Sequence, residues 1–381
     1  MSSSLVLTFS GIVSGDTITL PITGSGTLAV TVNWGDGTTT TDSTLTHEYA
    51  ANFNGNVTIT VTDGTVSGFG SAISWSGGDK LTTVTPINDT ISLNWGLPGI
   101  TSLFGAFEQT SSLTSVPDYI PSSVSTLSNM FQNSNFNQGN INNWDISNVN
   151  FLGSMFENAT LFNQDLNSWD TSGVTGTRNM FFNAAAFNGN ISSWNVSNVT
   201  NMEGMFRFAS AFNQYIGGWD VSNINNSTMN EMFDGCIVFN QNLSSWNVSN
   251  VTRMFSMFKN CNNFNQDISG WDVSKVDDMR YMFQNAEDFF QNIYVWKPDN
   301  CNLFSDMFSG ATTMLDKYSE FPGMGTTPTK GSEANPGFFY LVESPYLLLI
   351  IGNISVALYN PTNDDPYVQG LTTEELRQSL S

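Results

Sequence analysis

The stretch NMFFNAAAFNGNISSWNVSNVTNMEGMF, residues 179–206, closes on nearly the words that open it. Met-Phe pairs recur at Met130, Met155, Met180, Met205, Met232, Met257, Met282 and Met307, with steps of 25, 25, 25, 27, 25, 25 and 25 residues. The repeat phenylalanines are therefore Phe131, Phe156, Phe181, Phe206, Phe233, Phe258, Phe283 and Phe308. Tryptophan keeps the same beat at Trp144, Trp169, Trp194, Trp219, Trp246, Trp271 and Trp296. Each lies twelve residues before a repeat Phe, except where two residues are inserted between Ile224 and Met229. Twelve residues before Phe131 and Phe107 stand Tyr119 and Trp95, two weaker rungs. A fixed period of this length marks a repeat array in which each rung is one supersecondary unit.

The unit at residues 264–289 shows what one rung wants to be. Ile268, Trp271 and Val273 fall in a short stretch rich in β-formers, which predicts a strand. Val276, Met279, Met282, Phe283 and Ala286 follow at spacings of 3, 3, 1 and 3, which predicts one to two helical turns. The expected fold is a leucine-rich-repeat-like solenoid over residues 95–318, a short strand plus a short helix per rung, coiled right-handed. One rung cannot bury its own apolar face, so the Trp and Phe columns must stack on those of the next rung. Those columns are read as structural core and not as a ligand platform. The Phe-Asn words at Asn163, Asn188, Asn213, Asn240 and Asn265 predict an inward asparagine ladder that satisfies turn backbone groups. Calcium is the weaker reading of that ladder, since Asp165 and Asp267 add few carboxylates.

The chain has 381 residues and a formal net charge of −22, yet only 12% of its residues are charged. An acidic, largely uncharged polar surface repels phosphate backbones and anionic lipid, so no nucleic-acid partner is expected. The three cysteines take small-residue slots: Cys236 and Cys261 stand where sister rungs have alanine, and Cys301 where they have valine. Buried core thiols are the expectation, with a Cys236–Cys261 bridge as the alternative. The N-terminus has no basic region followed by an apolar core, and does not read as a signal peptide. The apolar run YLLLIIGNISVALY, residues 346–359, is too short to span a membrane and reads as a hairpin around Gly352-Asn353. Pro322, Pro328 and Pro336 mark residues 319–336 as a linker, and residues 337–381 as a hairpin and a helix with a capping box at Thr372 and Glu375. That last segment is expected to cap the array or anchor it to another subunit.

The words WDVSNV, NMxxMF and FNQDI resemble the bacterial surface protein 26-residue-repeat family, relatives of the BspA-like leucine-rich repeats. The resemblance covers roughly residues 95–311. It implies a surface-exposed repeat domain, often engaged in adhesion, of a kind that also spreads through phages and large viruses. Upstream, residues 30–64 are similar to a PKD-type, immunoglobulin-like β-sandwich, through Trp34, Gly35, Asp36, Gly37, His47 and Tyr49. That domain is expected over residues 1–66, with residues 67–94 as a transition that caps the array. His47 is the only histidine. Without visible partners it is read as a packed or hydrogen-bonded core residue and not as a metal ligand.

No triad, paired-carboxylate motif, Cys-x-x-Cys or phosphate loop stands out, so no catalytic residues, cofactor or metal are expected. The expected function is a non-enzymatic structural or display protein of a phage or virus particle, a capsid decoration or fibre component on the virion surface. The alternative is a bacterial cell-surface adhesin. Expected partners are other virion or surface subunits and a host receptor or glycan, without membrane insertion.

Overall fold

A computed structural model describes residues 4–41, 45–70, 76–87, 93–224, 229–319, 324–328, 331–332, 335–336, 348–351 and 354–357. Its regular secondary structure is almost all antiparallel strand. Strands β1 (Ser4–Ile12), β2 (Thr17–Thr19), β3 (Ile22–Asn33), β4 (Thr39–Thr40), β5 (Thr46–Glu48), β6 (Phe53–Phe69) and β7 (Leu81–Ile87) build the N-terminal part. Five of them form one sheet in the order β4-β3-β6-β1-β7, and β2 pairs with β5 beside it. Alternation drives this assembly. Leu5, Leu7 and Phe9 of β1 face inward with Val57 and Ile59 of β6 and Val30 and Val32 of β3, all at most 1% exposed. The sheet runs past residue 66, because β6 ends at Phe69 and β7 pairs with β1.

The expected strand-plus-helix solenoid of leucine-rich-repeat type is not what forms. The only α-helix among the described residues is α1 (Thr312–Lys317), after the last repeat Phe. The Met-Phe segment is a chain of turns. Met155 N–H bonds Leu152 C=O at 3.2 Å, Glu157 N–H bonds Ser154 C=O at 3.2 Å, and Ala159 N–H bonds Phe156 C=O at 3.0 Å. The amides between them leave the rung. Ser154, Phe156 and Asn158 donate to the carbonyls of Arg178, Met180 and Phe182 on the next rung, at 2.8, 2.9 and 2.7 Å. The physical reason is a left-handed residue on each side of the repeat Phe. Two residues before it stand Asn129, Ser154, Asn179, Gly204, Glu231, Ser256, Tyr281 and Asp306; two residues after it stand Asn133, Asn158, Asn183, Phe208, Gly235, Asn260, Asn285 and Gly310. All of them have φ between 52° and 78°. A right-handed helix cannot pass through such residues. The predicted strand is also a turn, since Trp271 N–H bonds Ile268 C=O at 3.1 Å. Among the described residues, parallel pairing survives only as single bridges, among them Ser102↔Thr126↔Phe151↔Gly176↔Asn201 and Arg253↔Asp278↔Leu303.

Both ends of this stack of turn-built rungs are covered. At the first rung Gly68 bridges Ser102, and Phe69 extends the Phe column with its ring 6.1 Å from Phe107. At the last rung Phe308 N–H donates to Thr326 C=O at 2.9 Å, and Asp306 N–H to Thr327 Oγ1 at 2.9 Å. Residues 326–327, inside the expected linker, therefore stand where the next rung would be. Further on, β8 (Gly331–Ser332) pairs with β9 (Asn335–Pro336), and β10 (Leu348–Ile351) with β11 (Ile354–Ala357), Ile351 facing Ile354. The expected C-terminal helix lies outside the described residues.

Candidate interaction surface

The Trp and Phe columns singled out from the sequence form the spine of the stack. Each of those fifteen residues is at most 4% exposed. Successive repeat phenylalanines from Phe107 to Phe308 lie 5.5–5.9 Å apart, centroid to centroid. The tryptophans stack in parallel, Trp169 on Trp194 at 6.1 Å and Trp246 on Trp271 at 6.4 Å. Buried Trp N–H groups need an acceptor. Trp169, Trp194 and Trp271 donate Nε1–H to the carbonyls of Ile141, Leu166 and Leu243 on the preceding rung, at 2.9, 2.8 and 3.0 Å. A second phenylalanine column, Phe162, Phe187, Phe212, Phe239, Phe264 and Phe289, runs beside the first at zero exposure.

The asparagine ladder forms, but on the surface and not inward. Asn163, Asn188 and Asn213 accept with Oδ1 from the backbone N–H of Asn188, Asn213 and Asn240, at 2.8, 2.9 and 3.0 Å. The side chains serve their neighbours' backbones, which is chemistry for turns. The aspartates after the tryptophans cap turns as well. Asp170 and Asp272 each accept from the serine N–H two residues on, at 3.0 Å. Cys236 and Cys261 are free thiols, donating to the carbonyls of Phe206 and Phe233 at 3.0 and 2.8 Å. Burial pushes both thiols well above their ordinary pKa.

In the N-terminal part His47 stacks on Trp34 at 4.9 Å, and its Nε2 lies 2.7 Å from Asp36 Oδ2. Burial raises the Asp36 carboxyl, but hydrogen bonds from Thr38 and His47 outweigh it and hold the pKa at about 2. Thr38 Oγ1 donates to Asp36 Oδ1 at 2.6 Å. Threonine and histidine thus share one carboxylate, and the threonine proton is already committed to it. A nucleophile would need the histidine as its base, with the carboxylate behind it. Among the described residues no three His, Cys, Asp or Glu side chains converge as a metal site. No helix there is long and apolar enough to cross a membrane.

The outer edge of the Met-Phe segment carries all four arginines among the described residues: Arg178, Arg207, Arg253 and Arg280. Sequence reading passed over them, because nothing in the rung pattern fixes these positions. Arg207 lies over the rings of Phe182 and Phe208 at 5.6 and 4.9 Å, and pairs with Glu231 at 2.7 Å and Asp234 at 3.3 Å. Burial raises the Glu231 and Asp234 carboxyls, against the lowering pull of Arg207. Arg280 covers Phe255 at 5.4 Å and holds Asp278 with two bonds, at 3.0 and 2.7 Å. Beside it a hollow of about 390 Å³ opens between Arg253, Asp277, Asp278, Arg280 and Asn300. Clustered arginine and aromatic side chains are what protein interfaces concentrate at their centres.

The family model described as "Mycoplasma protein of unknown function, DUF285" matches residues 99–219 and again 208–321, together more than half of the chain. The chain belongs to this family. Both DUF285 matches fall on the rung stack, and the second ends just short of Thr326 and Thr327. No curated protein and no solved structure matches the chain.

Proposed function

We propose that this chain is a non-enzymatic structural and display module, carried on the outside of a virus or phage particle. One observation carries the display reading. Positions inside the rung repeat almost without change, while those on the outer edge of the Met-Phe segment change at every rung. Three residues before each repeat Phe the series is Phe104, Ser128, Gly153, Arg178, Glu203, Asn230, Phe255, Arg280 and Ser305. The core fixes the body, and the edge is free to carry recognition. A body in which each rung's amides bond the next resists bending, which suits presentation away from a surface. The particle location draws on the resemblance of the repeat to surface proteins and their phage and viral kin. The test is to raise antibodies to the whole chain, then probe purified particles and the cell envelope of the producing organism. The proposal predicts signal on intact particles, reachable without disruption. Signal confined to a bacterial envelope would replace the particle with an adhesin.

A further inference from the structure

We propose that an apolar face on four consecutive rungs, centred on Phe208, docks a partner protein that presents an apolar residue ringed by lysine or arginine. The inference rests on the display reading and names its partner chemistry. In the loop after each repeat Phe, four and five residues on, stand Thr160-Leu161, Ala185-Ala186, Ser210-Ala211 and Ile237-Val238. The first three pairs adjoin through Ala186 N–H to Thr160 C=O at 3.3 Å and Ala211 N–H to Ala185 C=O at 3.2 Å, and the fourth follows on the next rung, where the Phe239 ring lies 5.8 Å from Phe212. Leu161, Phe208, Ile237 and Val238 are 54, 37, 47 and 38% exposed. Beyond the face the same loop turns polar, with Asn135 on one side and Asn262-Asn263 and Glu287-Asp288 on the other.

Phe208 is the second, independent observation. It takes a left-handed position, φ 60°, that most sister rungs give to asparagine or glycine. A bulky residue there is strained, and such strain gathers at functional sites. It also interrupts the side-chain ladder in which Asn183 donates to Asn158 and Asn285 to Asn260, both at 2.9 Å. Its ring lies over Gly235, where a Cβ would come within 2.4 Å. An aromatic residue is thus held on the surface at the cost of the local pattern, braced by Arg207.

Charge selects the partner. The chain carries −22, Arg207 at the centre is already matched by Glu231 and Asp234, and the first charges along the same loop, one rung past Asn262-Asn263, are Glu287 and Asp288. A second copy would bring like charge to like, whereas a basic rim is attracted. Aliphatic Leu161, Ile237 and Val238 fit an apolar side chain.

The experiment uses the purified full chain and three short fluorescent peptides: a Leu-Phe centre flanked by lysines, the same centre flanked by glutamates, and a serine centre flanked by lysines. Anisotropy titrations should show saturable binding of the first, weakening with salt. The other two should bind at least ~10-fold more weakly, as expected when an anchor or charge match is lost. Ile237→Asn with Val238→Asn takes the residues of the next rung, and Phe208→Asn takes the ladder residue, so both variants suit the fold. Each, with an unchanged melting point, should weaken the first peptide at least ~10-fold, the effect of losing a central contact. The proposal is overturned if the first peptide does not bind, if the glutamate peptide binds equally, or if neither variant weakens binding. Self-association abolished by Ile237→Asn with Val238→Asn would also overturn it, naming a second copy as the occupant. Antibody location of the chain on particles or envelope is independent of all these results.

Discussion

Gly235 has φ +78°, and a Cβ there would meet Phe208 Cδ1 at 2.4 Å. Gly235→Ala should therefore cost more than the ~1–2 kcal/mol of a left-handed non-glycine residue, because the Phe208 ring must also move. Urea unfolding with Phe208→Asn in the background isolates the second part, which that change should remove. Trp219 is 3% exposed and donates to Ile191 C=O at 3.3 Å. Trp219→Ala should cost ~3–5 kcal/mol, as for other buried aromatics, read as a lower urea midpoint. A variant that unfolds with the parent would remove the column from the core. Both positions were legible to different degrees. Trp219 declares itself by register, whereas Gly235 looks like one more surface glycine until the ring across it is seen.

At the scale of the rung, the sequence carried the period and the inward residues, but not the backbone that joins them. Spacings of 3, 3, 1 and 3 fit a helix face, and they fit consecutive turns equally, because each turn closes on the amide three residues on. A signal was present: Asn129, Asn133, Asn158, Asn179 and Asn183 are types that tolerate positive φ. The aspartates add a pH dependence. Asp145, Asp170, Asp220 and Asp272 are each held below the ordinary carboxylate pKa, first by the serine hydroxyl and then by the serine N–H two residues on. Their folded pKa lies below the unfolded value of about 3.9, so they stabilise above that value and the gain is lost as pH falls through the folded one. Melting temperature should fall on acidification below about pH 4. Changing all four to Asn, the residue at Asn195 and Asn247, should flatten that fall and leave neutral stability nearly unchanged. An unchanged slope would place the acid sensitivity elsewhere. Glu231 and Asp234, raised by burial, act with the opposite sign: their contribution is full below the unfolded value and fades as pH rises through the folded one.

Over the whole molecule, the antiparallel N-terminal sheet and the turn-built stack share one buried core. Alternation along β1 and β6 builds the sheet, where the sequence had offered a β-sandwich by resemblance alone. The arginine-aromatic edge and the Phe208 face could not be read ahead, since neither obeys the period that made the rest readable. The central claim is that each rung turns through left-handed residues and sends alternate amides to its neighbour, giving a stiff body with a free edge. Asn133, Asn158 and Asn260 test it in three separate rungs, with φ of 58°, 57° and 55°. Glycine and alanine both remove the side-chain ladder, so their difference reports the backbone alone. The decisive measurement is equilibrium urea unfolding of Asn→Gly and Asn→Ala pairs at the three sites. Left-handed rungs predict that glycine is the more stable by about 1 kcal/mol at each site. Helical rungs would put alanine ahead by a similar margin, and that result would contradict the account.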